Sequence, residues 1–452
     1  MSLRLKPYPA TKDSGASWLG VVPEHWAVLP NRAVFREVNE RDHPEEQMLS
    51  VTITKGVILQ KALLEGSSKK DGSNQDKSAY KLVCPGDLAY NKMRAWQGAL
   101  GMSDLRGIVS PAYVVVRLRE NNCARYFHYL FRTPQFAKEA ERWSYGITSD
   151  MWSLRPEHFK MIYCSLPPKE EQAAIVRFLD HVDRRVRRFI AAKRRLIDLL
   201  NEQKQAVIQR AVTRGLDPNI RLKPSGIESL GNVPGHWEIG RLGRFITLQR
   251  GVDITKEQQV QGRIPVVSSG GISSFHNQFT SRGPGVIVGR KGTVGSVYFL
   301  DGNYWAHDTT LWVKEFGGND PKFVYHLLKR LDLKRFDTGS ANPTLNRNVV
   351  HPERVAFPPV DEQRAIACFL DQRSHTIDSL SRCLSRHIDL IREYQTGLIA
   401  DVVTGKLDVR GVERPQLEEA EQLSPVGDEI ADDATEEGTK LEPVEEVTDA
   451  AG

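Results

Sequence analysis

The feature that most constrains this chain is that it contains one plan twice. Ser14-Gly15, Leu19-Gly20, Pro23 and His25-Trp26 recur at a constant offset of 211 as Ser225-Gly226, Leu230-Gly231, Pro234 and His236-Trp237. A second block runs from Pro167-Pro168 through Glu171-Gln172 and Ala174-Ile175 to Phe178-Leu179-Asp180. It returns at an offset of 191 as Pro358-Pro359, Glu362-Gln363, Ala365-Ile366 and Phe369-Leu370-Asp371. Between them, Pro85-Gly86 and Lys92 align with Pro284-Gly285 and Lys291 at an offset of 199. The shrinking offsets mean shorter loops in the second copy. Repeats of this size dictate architecture, and 452 residues exceed one ordinary domain, so two tandem half-proteins are expected.

Each copy reads as a globular section followed by a long helix. Short β-type runs such as Tyr113–Val116 and Val286–Val288 sit between Gly and Pro turns. Short helices are expected at Phe136–Trp143 and Pro321–Arg330. The fold class is therefore mixed α/β (α+β) with an internal pseudo-twofold repeat. Its expected parts are a globular domain over 1–165, a long helix over 166–213, a second globular domain over 214–357 and a second long helix over 358–410.

The long helices carry heptad seams. In the first, Ile175, Leu179, Val182, Val186, Phe189, Lys193, Leu196, Leu200, Gln203 and Val207 alternate spacings of four and three. The second seam is Ile366, Leu370, Arg373, Ile377, Leu380, Leu384, His387, Ile391, Tyr394 and Leu398. Residues 175–213 carry ten basic and four acidic side chains, whereas 366–404 carry four and five. Unlike charge favours pairing of the two helices within the chain. Packing of each helix on its own globular section, or on a second copy, is the alternative. At 1.5 Å per residue each would be about 58 Å long, more than one turn of B-DNA. A pair of that length would act as a spacer.

Charge names the class of partner. The whole chain carries +5 and residues 411–452 carry −12, leaving +17 on residues 1–410. So basic a body points to a polyanion. The acidic tail, without aromatics, is expected to be disordered and solubilising, with competition against nucleic acid as the sharper alternative. Five scattered cysteines (Cys84, Cys123, Cys164, Cys368, Cys383) form no CxxC pair, which argues for a reducing cytosol rather than a disulfide framework. No apolar run approaches the ~18 residues that span a bilayer, and the start lacks a secretory core.

Two matched loops are the candidate contacts. Asn91-Lys92-Met93-Arg94-Ala95-Trp96-Gln97-Gly98 follows an expected strand, as does Gly289-Arg290-Lys291-Gly292-Thr293-Val294-Gly295. Cations in glycine-containing loops let backbone approach phosphate, and arginine can pair bidentately with guanine while Gln97 suits adenine. A solvated turn is the bland alternative. Later in each copy, Ser144–Ser149 is matched with Thr338–Arg347, whose Asn342 and Arg347 are further candidates. Trp26 and Trp237 read as core anchors, and His25 and His236 lack partners at ligand spacing, so no metal is assigned. There is no GxxxxGKS/T loop, GxGxxG turn, HExxH, GxSxG or Pro-Pro-aromatic methyltransferase tetrad, and no catalytic residue is assigned.

Over about residues 13–410 the chain resembles the specificity subunit of type I restriction-modification enzymes. The resemblance rests on the two Leu-Gly-x-x-Pro-x-His-Trp openings and on Asn91–Gly98 with Gly107–Tyr113. Gly283–Gly292, Pro343–Asn346 and the two Pro-Pro-x-Glu/Asp-Glu-Gln helix openings complete it. It implies two target-recognition domains joined by an antiparallel coiled coil, each reading one half of an asymmetric, bipartite DNA target. It also implies a non-catalytic cytoplasmic subunit that docks two methyltransferase subunits and restriction/translocase subunits. S-adenosylmethionine, ATP and Mg would belong to those partners. Lys92, Arg94, Arg290 and Lys291 are the leading expected DNA contacts, with Gln97, Asn342 and Arg347 behind them. A stand-alone nucleic-acid-binding scaffold is the competing class, and would bind DNA tightly without a methyltransferase.

Overall fold

The computed structural model describes residues 5–64, 76–146, 152–228, 230–336 and 344–412. Residues 413–452 of the acidic tail, Asn342, half of the 144–149 segment and most of the 338–347 segment therefore lie outside the described residues. The chain forms two compact units. One runs through Ala191 and resumes at Ile388; the other is Ala192–His387.

In the first unit, alternating buried residues build a four-stranded antiparallel sheet. Its order is Phe35–Val38, Tyr113–Leu118, Asp87–Asn91, Leu100–Met102. Val114 and Val116 face one core cluster with Phe127, Phe131 and Phe159, whereas Val115 and Ala89 face a smaller one, as the two-residue period of a strand requires. The second unit repeats the order with Thr247–Arg250, Thr310–Glu315, Gly285–Gly289 and Val297–Leu300. Each sheet is followed by a helix, Ala124–Phe131 and Pro321–Arg330 respectively. The first of these was not legible in the sequence; the expected helix over 136–143 is Pro134–Arg142, opened by a Thr133 cap.

A shared framework ties each opening to a long helix. These helices span Lys169–Arg214 and Val360–Val403. Trp26 and Trp237 are 0% and 1% exposed. The Trp26 indole donates to Glu171 at 3.0 Å, and His25 pairs with the same carboxylate at 2.8 Å. Trp237 donates to Glu362 at 3.2 Å, and His236 pairs with it at 2.6 Å. The adjoining glutamines act alike. Gln172 accepts from the Cys123 amide and donates to Asn122 and the Pro167 carbonyl, while Gln363 accepts from the Asp320 amide and donates to Asn319 and the Pro358 carbonyl. Each helix opening thus fixes both the Pro-x-His-Trp segment and the turn before the short helix. The two histidines that lacked carboxylate partners in sequence have them in space.

Seam residues are buried towards the helix ends. In the first unit Ile175 and Leu179 share a cluster with Leu398, Val402 and Val403, and Gln395 donates to Asp183 at 2.9 Å. In the second, Ile208, Ala211 and Val212 share one with Ile366 and Leu370, and Lys204 meets Asp378 at 2.7 Å. Val186, Ile377 and Leu384 are also buried, and Leu200 and Ile391 half-buried. Phe189, Leu196 and Leu380 are exposed. The second helix stops at Val403. Gly405 adopts φ +78°, and Asp408 bridges to Lys6 instead.

Candidate nucleic-acid interface

In the first unit the loop leaves the strand Asp87–Asn91 through an Asx turn, the Asn91 side chain accepting from the Met93 amide at 3.0 Å. A 3-10 turn over Ala95–Gln97 follows, closed by Gly98 at φ 95°. The Trp96 indole donates to the Met93 carbonyl at 2.9 Å and packs edge-on against Trp152 at 5.5 Å. Ala95 is buried, Lys92 and Arg94 half-buried, and Gln97 exposed. The loop is stiff, with its cations at the surface.

Two cations absent from the sequence candidates join them. Lys81 donates to the Tyr113 carbonyl at 2.7 Å. Burial, then the charges of Lys92 and Arg41, hold its pKa below the ordinary lysine value, Glu37 opposing. Mutual repulsion of this kind marks Arg41, Lys81 and Lys92 as one cationic patch.

In the second unit the corresponding loop needs glycine. A Cβ on Gly289 would lie 2.2 Å from the Thr293 carbonyl oxygen, so no other residue lets the loop fold back here. The Arg290 and Lys291 amides both donate to the Thr309 carbonyl, at 2.8 and 3.1 Å. The Arg290 guanidinium reaches the Asp308 carbonyl at 3.3 Å, and the Asp308 carboxylate holds Arg250 at 2.8 Å. Burial, then the nearby Arg250, lowers the Arg290 pKa. Burial alone would raise Asp308, but the Arg250 hydrogen bond and the charges of His307, Arg250 and Lys291 keep it below the usual carboxylate value. Arg347 is exposed, its guanidinium 3.5 Å from the Leu248 carbonyl.

The later segments meet these loops. The Leu154 amide donates to the Lys92 carbonyl at 2.9 Å, and the Leu345 amide to the Arg290 carbonyl at 2.9 Å. Both leucines are buried. The structural match is thus 153–155 with 344–346; residue 145 instead bridges to Ser153. Lys92 and Arg94 come together in one unit, and Arg290, Lys291 and Arg347 border one strand end in the other.

Among the described residues one trio, Asp253, His307 and Asp308, has metal-ligand types in reach of one another. Its atoms are engaged otherwise. The Thr309 amide donates to His307 Nδ1 at 3.3 Å, which leaves Nε2 as the donor towards Asp253 at 3.4 Å. Asp308 is taken by Arg250. The geometry is that of a hydrogen-bonded turn.

Residues 234–384 match the family described as type I restriction modification DNA specificity domain. The chain is 22% identical over 283 residues to the type I restriction enzyme MjaVIII specificity subunit of Methanocaldococcus jannaschii, covering 56% of this chain and 64% of that protein. It is 21% identical over 166 residues to the EcoprrI specificity subunit of Escherichia coli, covering 36% and 41%. Both matches span less than two thirds of the relative. A solved structure described as the basis of complex assembly and conformational transition of the type I R-M system shares the fold. Its TM-score is 0.66 at 16% identity, over 85% of this chain and 99% of that one.

Proposed function

We propose that this chain, which is similar to type I restriction-modification specificity subunits, is the non-catalytic DNA-recognition subunit of such a complex. Each globular section, 1–165 and 214–357, reads one half of an asymmetric, split double-stranded target. The long helices of this internal pseudo-twofold repeat pair as an antiparallel coiled coil and set the gap between half-sites. They also dock two methyltransferase subunits, which bring S-adenosylmethionine, and restriction/translocase subunits, which bring ATP and Mg. No helix among the described residues is long and apolar enough to cross a membrane, and a cytoplasmic place follows from the DNA substrate.

The observation that carries this reading is the pairing of sameness and difference. Two sheets of one strand order, pinned through the same Trp-Glu-Gln framework, present unlike cationic loops at the same strand exit. A repeated frame with unlike readers suits a target with unlike halves. Lys92, Arg94 and Gln97 serve one half-site, and Arg290, Lys291 and Arg347, with Asn342, the other. The test is adenine-methylation mapping of genomic DNA with and without this gene, the methyltransferase being expressed in both. Loss of one split, asymmetric motif is expected; an unchanged map contradicts the reading.

A further inference from the structure

We propose that Arg250 reads a guanine edge in the half-site of the second unit, and that Asp308 positions it. This deepens the functional reading above and rests on it. Arg250 ends the strand Thr247–Arg250, and its side chain is 56% exposed. The Asp308 carboxylate, only 17% exposed, holds one guanidinium nitrogen, Nη2, at 2.8 Å. That bond anchors one end of the fork, on a side chain that stays more than half exposed.

The turn that carries the carboxylate is held by hydrogen bonds on both sides of it. His307 donates its amide to the Val267 carbonyl at 2.9 Å, and Thr310 closes the turn through amide and hydroxyl bonds to the His307 carbonyl at 2.9 and 2.7 Å. Arg290 braces the Asp308 carbonyl from the far side of the peptide at 3.3 Å. Gly251 lets the strand press onto this turn, since a Cβ there would lie 2.1 Å from the His307 carbonyl oxygen. An arginine fixed this way loses little conformational freedom on binding, which is what a base reader needs.

Charge decides between base and phosphate. A phosphate approaching Arg250 meets the Asp308 carboxylate beside it and is repelled. The O6 and N7 atoms of guanine are neutral acceptors spaced for the guanidinium fork and meet no such penalty. The first unit has no equivalent. Tyr113 stands opposite Asn91 as Thr310 stands opposite Gly289, which puts Pro111 where Asp308 lies. The two half-sites are therefore read by different chemistry.

The experiment compares Arg250→Ala, Arg250→Lys and Asp308→Asn with the parent. Each full chain is assembled with its methyltransferase, and the readouts are the methylated motif and the salt dependence of DNA binding. Both Arg250 variants are expected to relax one G position of one half-site by about 5- to 150-fold, with the parent's salt slope retained by the lysine form. Asp308→Asn is expected to relax that same position more weakly, a base-specific effect that a merely structural residue would not produce. An unchanged motif in Arg250→Ala overturns the proposal. So does an Arg250→Lys variant with parental discrimination, or uniform weakening on all sequences with a shallower slope in Arg250→Ala. Absence of any split motif with the parent chain would instead overturn the functional reading itself.

Discussion

In the first unit the loop beyond Asp87–Asn91 is stiffened by an aromatic pair, Trp96 on Trp152, and its neighbours are cations that repel one another. In the second, the loop beyond Gly285–Gly289 is stiffened by glycines and by the Thr309 carbonyl, and its arginines share one aspartate. Behind both loops the Trp-Glu-Gln framework is the same to within a few tenths of an ångström. The difference teaches where identity is demanded. A buried indole N–H needs its carboxylate, and a helix opening needs its glutamine, whereas a surface loop needs only stiffness and positive charge.

The comparison is broken most severely at the framework. Trp26→Ala and Trp237→Ala should each cost about 3–5 kcal/mol, and by similar amounts, in urea unfolding. A large cost at one and none at the other would deny that the units share a frame.

The next test separates them. Gly405 and Gly215 both end a long helix at positive φ, 78° and 72°. A Cβ on Gly405 would meet ring atoms of Pro23 at 2.2 Å, while one on Gly215 meets the tip of Glu362 at 2.8 Å. Alanine at either strains the backbone by about 1–3 kcal/mol. Gly405→Ala should lie at the upper end and Gly215→Ala at the lower, measured in the same way.

Acid sharpens the contrast further. Burial, with Arg132 and Arg125 beside it, pushes the His128 pKa down from 6.5 to about 3. The folded chain disfavours the proton that the unfolded chain takes up. The stability this histidine permits is therefore complete above pH 6.5 and is lost as pH falls towards 3, by about 1.4 kcal/mol per unit. Lowering the pH to about 5.5 should destabilise the parent by about that much more than His128→Gln. In the second unit burial also lowers His326, but its bond to Asp371 opposes the shift.

The smallest effect concerns Lys92. Lys92→Ala should weaken binding to all sequences alike and reduce the salt slope by about 1. A parental slope would remove Lys92 from the phosphate contacts.

The framework was legible because its residues are scarce and repeated. Trp, His and Pro at an offset of 211, and Glu-Gln at 191, mark positions whose hydrogen bonds admit few substitutes. Sheet order was not legible, since Phe35–Val38 pairs with a strand nearly eighty positions later and no local period encodes such a partner. The cationic loops were found through Gly and Lys/Arg at matching places. Arg250, Asp308, Arg41 and Lys81 were missed because only strand register brings them to those loops. Placing Arg250 opposite Leu311, at the head of the next strand, was the missing step. The match of 144–149 to 338–347 falls partly outside the described residues; among those described, the buried Leu154 and Leu345 make the equivalent bonds to the two loops.

The central claim is that the two units read different halves of one split target. The most direct measurement is the methylated motif produced in cells by Arg94→Ala and, separately, by Arg290→Ala, each with the cognate methyltransferase. The account predicts that each variant alters or abolishes recognition in one half only, and that the halves differ between the two variants. Changes in the same half from both, or a motif without a split, would contradict it.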